Sequence, residues 1–232
     1  MALALGNNSN NNYADHGDLA AMNGATALTL AFWAAGGAAV GAGDISKGTV
    51  HYFQMGGTRE YQLKEDAIWT LISAENTVPA DILNWNHYAL VYDGSLAVTN
   101  RITLYMNALS LTLTGIDTSK PQGSNAATTA PTSLPDTSPN ALQCGNSNVS
   151  GLTGHLRLWA AALTGAEVAA EVHRYWAARR THLLLDASYD DALFARDYSG
   201  NGNHGTWDPI NGTPEQRQGP PVSYGGKVLV TG

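Results

Sequence analysis

Cysteine is almost missing from this chain. Cys144 is the single one, so no disulfide can form within it and the fold must stand on packing. Cys144 follows a Pro-rich loop with no His-bearing signature beside it, and reads as a small core residue. Charge is scarce too: 13% of residues are charged against 44% apolar. The polar surface must therefore come from Asn, Ser, Thr, Gln and Gly, a composition that suits a turn-rich β protein and not a helical bundle. Basic residues are the rarer kind, 12 against 19 acidic, for a net charge of -7. Such a surface repels phosphate backbones and anionic lipid, which excludes nucleic acid as an expected partner. The pair Arg179-Arg180 lies where a helix should end, a place where cations offset the helix dipole. Long apolar runs are lacking. The uncharged stretch 25–43 is rich in Gly and Ala, and Leu28, Leu30 and Phe32 alternate with small residues. That is a strand pattern, whereas a membrane helix needs about 20 strongly apolar residues. The start MALALGNNSN has no basic region before its short apolar run, and the first Lys or Arg is Lys47, so no secretory signal is expected.

What the chain does contain is short, strand-like runs separated by turn residues. ALTLAFWAA (27–35) and AIWTLISA (67–74) alternate, and TVHYFQMGG (49–57) is rich in β-branched and aromatic residues. HYALVYDG (87–94), RITLYMNA (101–108) and LSLTLTGI (109–116) follow, with a hairpin expected at Asn107-Ala108. This spacing points to an antiparallel sandwich. In 88–92, Tyr88, Leu90 and Tyr92 fall on one face and Ala89 and Val91 on the other. A strand apolar on both faces belongs in the middle of a layered structure, and Trp85 and Trp159 are read as core. Residues 117–140 hold four prolines and many Ser, Thr and Ala, and read as a long, extended loop with almost nothing to bury. A helix is expected over about 164–180, with Thr164 as N-cap, Glu167 completing a capping box, and Val168, Val172, Tyr175 and Trp176 as its apolar stripe. HLLLDAS (182–188) reads as a further strand, and KVLVTG closes the chain as a possible edge strand.

The stretch DYSGNGNHGTWD (197–208) raises the question of a metal. Asp197, Ser199, Asn201 and Asn203 recur at alternate positions, Gly202 is sixth and Asp208 twelfth, which imitates a calcium loop with Asp197, Ser199, Asn201 and Asp208 as ligands. The twelfth residue is Asp where the longer Glu is usual, and no helices flank the stretch. The competing reading is a pair of tight turns in which Asn and Gly take positive φ. A second polar patch, NNSNNNYADHGD (7–18), carries Asp15 and Asp18. A sugar site would need an exposed aromatic beside amides and carboxylates. Trp207 with Asn201, Asn203, His204 and Asp208 qualifies if these converge, as does Tyr13 with Asn10, Asn12 and Asp15.

WNHYALVYDG (85–94) followed by ITLYMN (102–107) resembles the paired strands of laminin G-like domains, in the concanavalin A-like jelly roll group that also holds pentraxins and legume lectins. LTLAFWAA upstream and GLTGHLRLWAAALTGAEV (151–168) downstream are similar to further strands and the short closing helix of that group. Asn86 and Ala108 depart from its pattern. DYSGNGNHG resembles a segment that precedes the first strand in bacterial modules of this kind; here it follows the helix, implying a permuted order or a C-terminal arm packing back. The resemblance implies an all-β, antiparallel two-sheet jelly-roll sandwich over residues 1–180 with one short packed helix, and a strand and turn-rich extension over 181–232. Glycanases of the group carry Glu-x-Asp-x-x-Glu, which is missing; Glu60, Glu65 and Asp66 come nearest. The expectation is a non-enzymatic structural or interaction module of a larger assembly, such as a phage virion decoration or tail-associated protein at the virion surface or outside the cell, with protein neighbours or copies of itself as partners. The alternative is a carbohydrate-binding, lectin-like module, with calcium as the one conceivable cofactor. A glycoside hydrolase ranks last. Neither nucleic acid nor membrane is an expected partner.

Overall fold

The computed structural model describes residues 2–5, 12–36, 44–48, 50–55, 61–65, 69–71, 84–111, 131–145, 151–189, 195–209, 215–217, 220–224 and 227–228. The strands in chain order are β1 (Ala2–Leu5), β2 (Asn12–Asp15), β3 (Ala27–Gly36), β4 (Asp44–Lys47), β5 (Val50–Met55), β6 (Tyr61–Glu65), β7 (Trp69–Leu71), β8 (Asn86–Asp93), β9 (Ile102–Met106), β10 (Leu109–Ser110), β11 (Leu142–Cys144), β12 (Gly151–Trp159), β13 (Leu183–Ser188), β14 (Arg196–Asp197), β15 (Thr206–Pro209), β16 (Glu215–Arg217), β17 (Ser223–Tyr224) and β18 (Lys227–Val228). Among the described residues, nine strands form one sheet in the order β10-β9-β8-β3-β12-β1-β16, with β13 on β12 and β14 on β13. Seven form the second, in the order β15-β2-β11-β4-β5-β6-β7, and β17 and β18 make a separate ribbon. The C-terminal extension is thus built into both sheets, through β13 and β16 on one side and β15 on the other. The expected edge strand at the C-terminus is instead half of the ribbon. The later part of LSLTLTGI, the segment 112–130 and Glu60 and Asp66 lie outside the described residues.

Alternation along the strands separates two apolar layers. Tyr88, Leu90 and Tyr92 from β8 meet Leu28, Leu30 and Phe32 from β3 in the main core, with Ala14, Ile45, Leu142 and Cys144 coming from the seven-stranded sheet. Ala89 and Val91 point the other way, into a second cluster with Trp159, Leu163 and Val168. Trp85 packs half-buried against a third, around Trp33, Val172 and Tyr175. The hairpin β9–β10 turns on Asn107 and Ala108, both at positive φ, and pairs Met106 with Leu109. The Pro-rich loop departs from its expectation over 131–140. Leu134 is buried in the main core, its N–H bonds the Ala25 carbonyl, and the Pro131 carbonyl accepts from the Tyr92 hydroxyl. One leucine, a set of backbone groups and the Thr137 hydroxyl, which meets Lys47 and Asn23, dock a segment that composition alone marks as unattached.

The helix α1 (Gly165–Glu171) starts as expected: Thr164 caps it and the Glu167 carboxylate bonds back to the Thr164 N–H. It ends nine residues early, before Arg180, and the reason is a buried arginine. Arg157 lies on β12 at 2% exposure and spends all five N–H groups. Nε meets the Asp186 carboxylate at 2.9 Å, Nη1 meets Glu171 Oε2 at 2.9 Å and the Glu171 carbonyl, and Nη2 takes the carbonyls of Arg174 and Tyr175. The carboxylates complete the exchange: Glu171 accepts from the Ala178 and Arg179 N–H groups, and Asp186 from that of Ala177. Five backbone groups of residues 174–179 are therefore satisfied by buried charges in place of an i to i+4 ladder. Removing one partner of such a network strands the others without counter-charge. Arg157→Met should destabilise the protein by about 3–5 kcal/mol in urea denaturation, and a loss below about 1 kcal/mol would show that the network does not anchor this segment.

Beside it, His87 sits buried on the same outer face, edge-on to Trp33 with ring centroids 5.6 Å apart. Burial, helped by the Arg157 cation and His173, pushes its pKa down from 6.5 to about 3. His16, buried against Tyr189, is lowered by burial as well. Both imidazoles take up protons more readily in the unfolded chain. Their contribution to stability is complete above pH 6.5 and is lost as pH falls, for His87 through a window reaching down to about 3. The thermal midpoint should drop steadily on acidification through this range, with a shallower slope in His87→Asn; an unchanged slope in that variant would contradict the assignment.

Candidate functional site

The stretch 197–204 folds as a turn whose side chains replace backbone partners. The Asp197 carboxylate accepts four hydrogen bonds: Oδ1 from the N–H groups of Asp186 and Ser199 at 3.0 and 2.8 Å, and Oδ2 from the Ser199 hydroxyl and the Asn203 N–H at 2.8 and 2.9 Å. Asn201 donates its amide N–H groups to the Leu183 and Leu184 carbonyls, and Asn203 donates to Leu184. These amides cap a strand end of β13 that would otherwise carry open acceptors. Gly202 has φ 76°, a conformation that side-chain-bearing residues rarely adopt. His204 accepts the Asp197 N–H through Nδ1. On the far side His16 donates from Nδ1 to the Asn203 carbonyl at 3.0 Å and accepts from the Tyr189 hydroxyl at 3.3 Å, tying the turn to β2. Asp197, Ser199, Asn201, Asn203 and His204 do converge, but toward the protein. The first ligand of the expected calcium loop is occupied by four protein donors, and no cluster of three His, Cys, Asp or Glu able to hold a metal occurs among the described residues.

The two sugar-site expectations meet across one strand pair. Trp207 lies opposite Ala14, Thr206 opposite Asp15 and Asp208 opposite Tyr13 in the β15–β2 register. Trp207 is half-buried against the main core, 5.7 Å from the Tyr189 ring, and its Nε1 is enclosed without a partner. It faces inward with Ala14 and offers no open platform, a correction that follows from β15 joining the sheet. Tyr13 is half-buried, and Asp15 accepts the Gly17 N–H and so closes its own turn.

Among the described residues, the large exposed aromatic lies elsewhere. Trp176 is 45% exposed, and its ring is held edge-to-face by Tyr175 at 4.6 Å and by Tyr198 at 4.8 Å. Tyr175 is buried, in edge contact with His155 at 4.7 Å. Tyr198 belongs to the Asp197 turn, and its carbonyl accepts from Arg180 Nη2 at 2.8 Å. The Arg157 network stops the helix ahead of Trp176, and the Asp197 turn brings Tyr198 beside it. Sequence reasoning placed Trp176 in the buried helical stripe. The signal against that was present, because Tyr175 and Trp176 are neighbours and cannot share the centre of one helical face.

No family model matches the chain, and no curated protein matches it by sequence. Solved structures do resemble it. A candidate carbohydrate-binding protein from Bacteroides ovatus superimposes with TM-score 0.58 at 13% identity, over 96% of this chain and 61% of that one. A heptameric SAP-like pentraxin from Limulus polyphemus gives 0.49 at 15% identity, over 72% and 79% of the two chains. The full extracellular region of zebrafish Gpr126/Adgrg6 gives 0.46 at 14%, over 90% and 26%. The chain thus spans less than two thirds of the Bacteroides protein. With the sheet order above, the first likeness shows the fold to be a concanavalin A-like jelly-roll sandwich.

Asp197→Asn removes charge from an acceptor of four hydrogen bonds, and should cost about 1–3 kcal/mol in urea denaturation. Calcium at millimolar concentration should leave the thermal midpoint where a chelator leaves it. A rise with calcium that Asp197→Asn abolishes would make the turn a metal site after all.

Proposed function

We propose that this chain is a non-catalytic carbohydrate-binding module that receives a sugar ring on Trp176. The observation that carries the reading is the indole itself, exposed yet held between two tyrosines. A pyranose presents an apolar C–H face that stacks on such a surface, and a ring already fixed in place loses little entropy on binding. The Bacteroides protein of the same fold is named for carbohydrate binding, which agrees with the reading without establishing it. The non-catalytic part is supported by the state of the carboxylates. Glu171 and Asp186 are locked to Arg157, and Asp18 pairs with Lys47 at 2.7 Å, which holds its carboxyl below the usual range. A glycosidase acid needs a carboxyl raised toward neutrality, the opposite of what the Lys47 pairing does to Asp18.

The same indole could anchor a protein neighbour, as exposed tryptophans do at interface centres. That is the interaction-module reading, with a virion surface as one setting. A glycan array separates the two. Trp176→Ala and Tyr198→Ala should weaken binding to the recognised glycan by about tenfold or more, while Tyr13→Ala leaves it unchanged. Silence toward all saccharides, joined to self-association that Trp176→Ala disrupts, would replace the sugar by a protein partner.

A further inference from the structure

The charges around Trp176 do not follow the acidic balance of the chain. Between residues 157 and 186 the cations are Arg157, Arg174, Arg179 and Arg180, and the acids are Glu167, Glu171 and Asp186. All three acids are paired: Glu171 and Asp186, both buried, with Arg157, and Glu167, at the surface, with Arg179 at 2.7 Å. Arg174 is different. Its carbonyl belongs to the Arg157 network, but its guanidinium is exposed and has no hydrogen bond or ion pair among the described residues. Arg180 is about half exposed; its Nη2 is spent on the carbonyls of Tyr198 and Ser199, and its Nη1 reaches Asp186 only at 3.6 Å. In a chain of net charge -7, the turn that presents the exposed indole therefore carries uncompensated positive charge.

We infer that the ligand of this platform is an acidic saccharide, with a ring stacked on Trp176 and its carboxylate taken by Arg174, Arg180 adding to the positive field. The inference rests on the carbohydrate reading of the same site and narrows it to one ligand class. A guanidinium presents parallel N–H groups that match a carboxylate in two-point contact. A neutral glycan would have no use for the free fork of Arg174, and a polyanionic surface elsewhere would favour ligands gripped locally over ones drawn in at long range.

The test titrates the whole chain, by its tryptophan fluorescence and by calorimetry, with matched pairs that differ in the acid group. Oligogalacturonate is set against its methyl ester, sialyllactose against lactose, and dextran sulfate against dextran. The expected result is that a carboxylated member binds at least about tenfold more tightly than its neutral partner, that added salt narrows the gap, and that Arg174→Glu closes it. The Arg174 side chain is exposed and has no hydrogen bond or ion pair among the described residues, so this variant should keep the wild-type melting curve and circular dichroism. Equal binding of acidic and neutral partners, unmoved by Arg174→Glu but lost in Trp176→Ala, would overturn the acidic ligand and leave the carbohydrate reading standing. Preference for the sulfated member alone would overturn the carboxylate assignment. No binding to any member, with fluorescence insensitive to all of them, would overturn both readings together.

Discussion

Arg157 is the residue on which the outer side of the sandwich depends. A guanidinium buried at 2% exposure is costly unless every donor is matched, and here all five are. The matching reaches three separate parts of the chain: β12, which carries the arginine, the end of α1, and β13 through Asp186. The cost of burying the charges is offset by anchoring a segment that has no regular structure of its own.

A second device recurs through the molecule and follows from its composition. With few charged residues available, Asn and Asp side chains stand in for backbone. Asp197 gathers four donors, Asn201 and Asn203 close the end of β13, and Asn107 accepts the His87 N–H while its own amide meets Asn86 at 2.8 Å. Lys47, fully buried, is satisfied by Asp18, Asn23 and Thr137 and holds the 131–140 segment to the first loop. The Asp197 turn is mostly local, whereas the Lys47 closure reaches Thr137, 90 residues away, and so fastens a long connection in a chain without disulfides.

The site and the scaffold are therefore one construction. The tyrosine supporting Trp176 comes from the Asp197 turn, and that turn is held by His16 from the other sheet. A jelly roll of this kind hosts many functions, and the fold alone assigns none. This chain presents Trp176, held by two tyrosines, and near it in sequence Arg174, whose guanidinium has no hydrogen bond or ion pair among the described residues.

The local features were legible because each depends on neighbours in the chain. Alternation in 88–92 assigned Tyr88, Leu90 and Tyr92 to the core and Ala89 and Val91 to the opposite layer, as found. The capping box at Thr164 and the turn at Asn107-Ala108 were equally readable, since both are formed within a few residues. The end of the helix was not, because it is decided by Arg157 and Asp186, which approach it only in the folded sandwich. Trp207 and Trp176 exchanged roles for the same reason: one was drawn inward when β15 paired with β2, the other was turned outward by the early helix end. The sequence by itself determined periodicity, caps and turns, which are short-range sterics and hydrogen bonding. Only the tertiary structure decided that Trp176 is exposed and that Arg174 has no ion pair among the described residues, because burial and charge pairing are properties of surfaces brought together from distant parts of the chain.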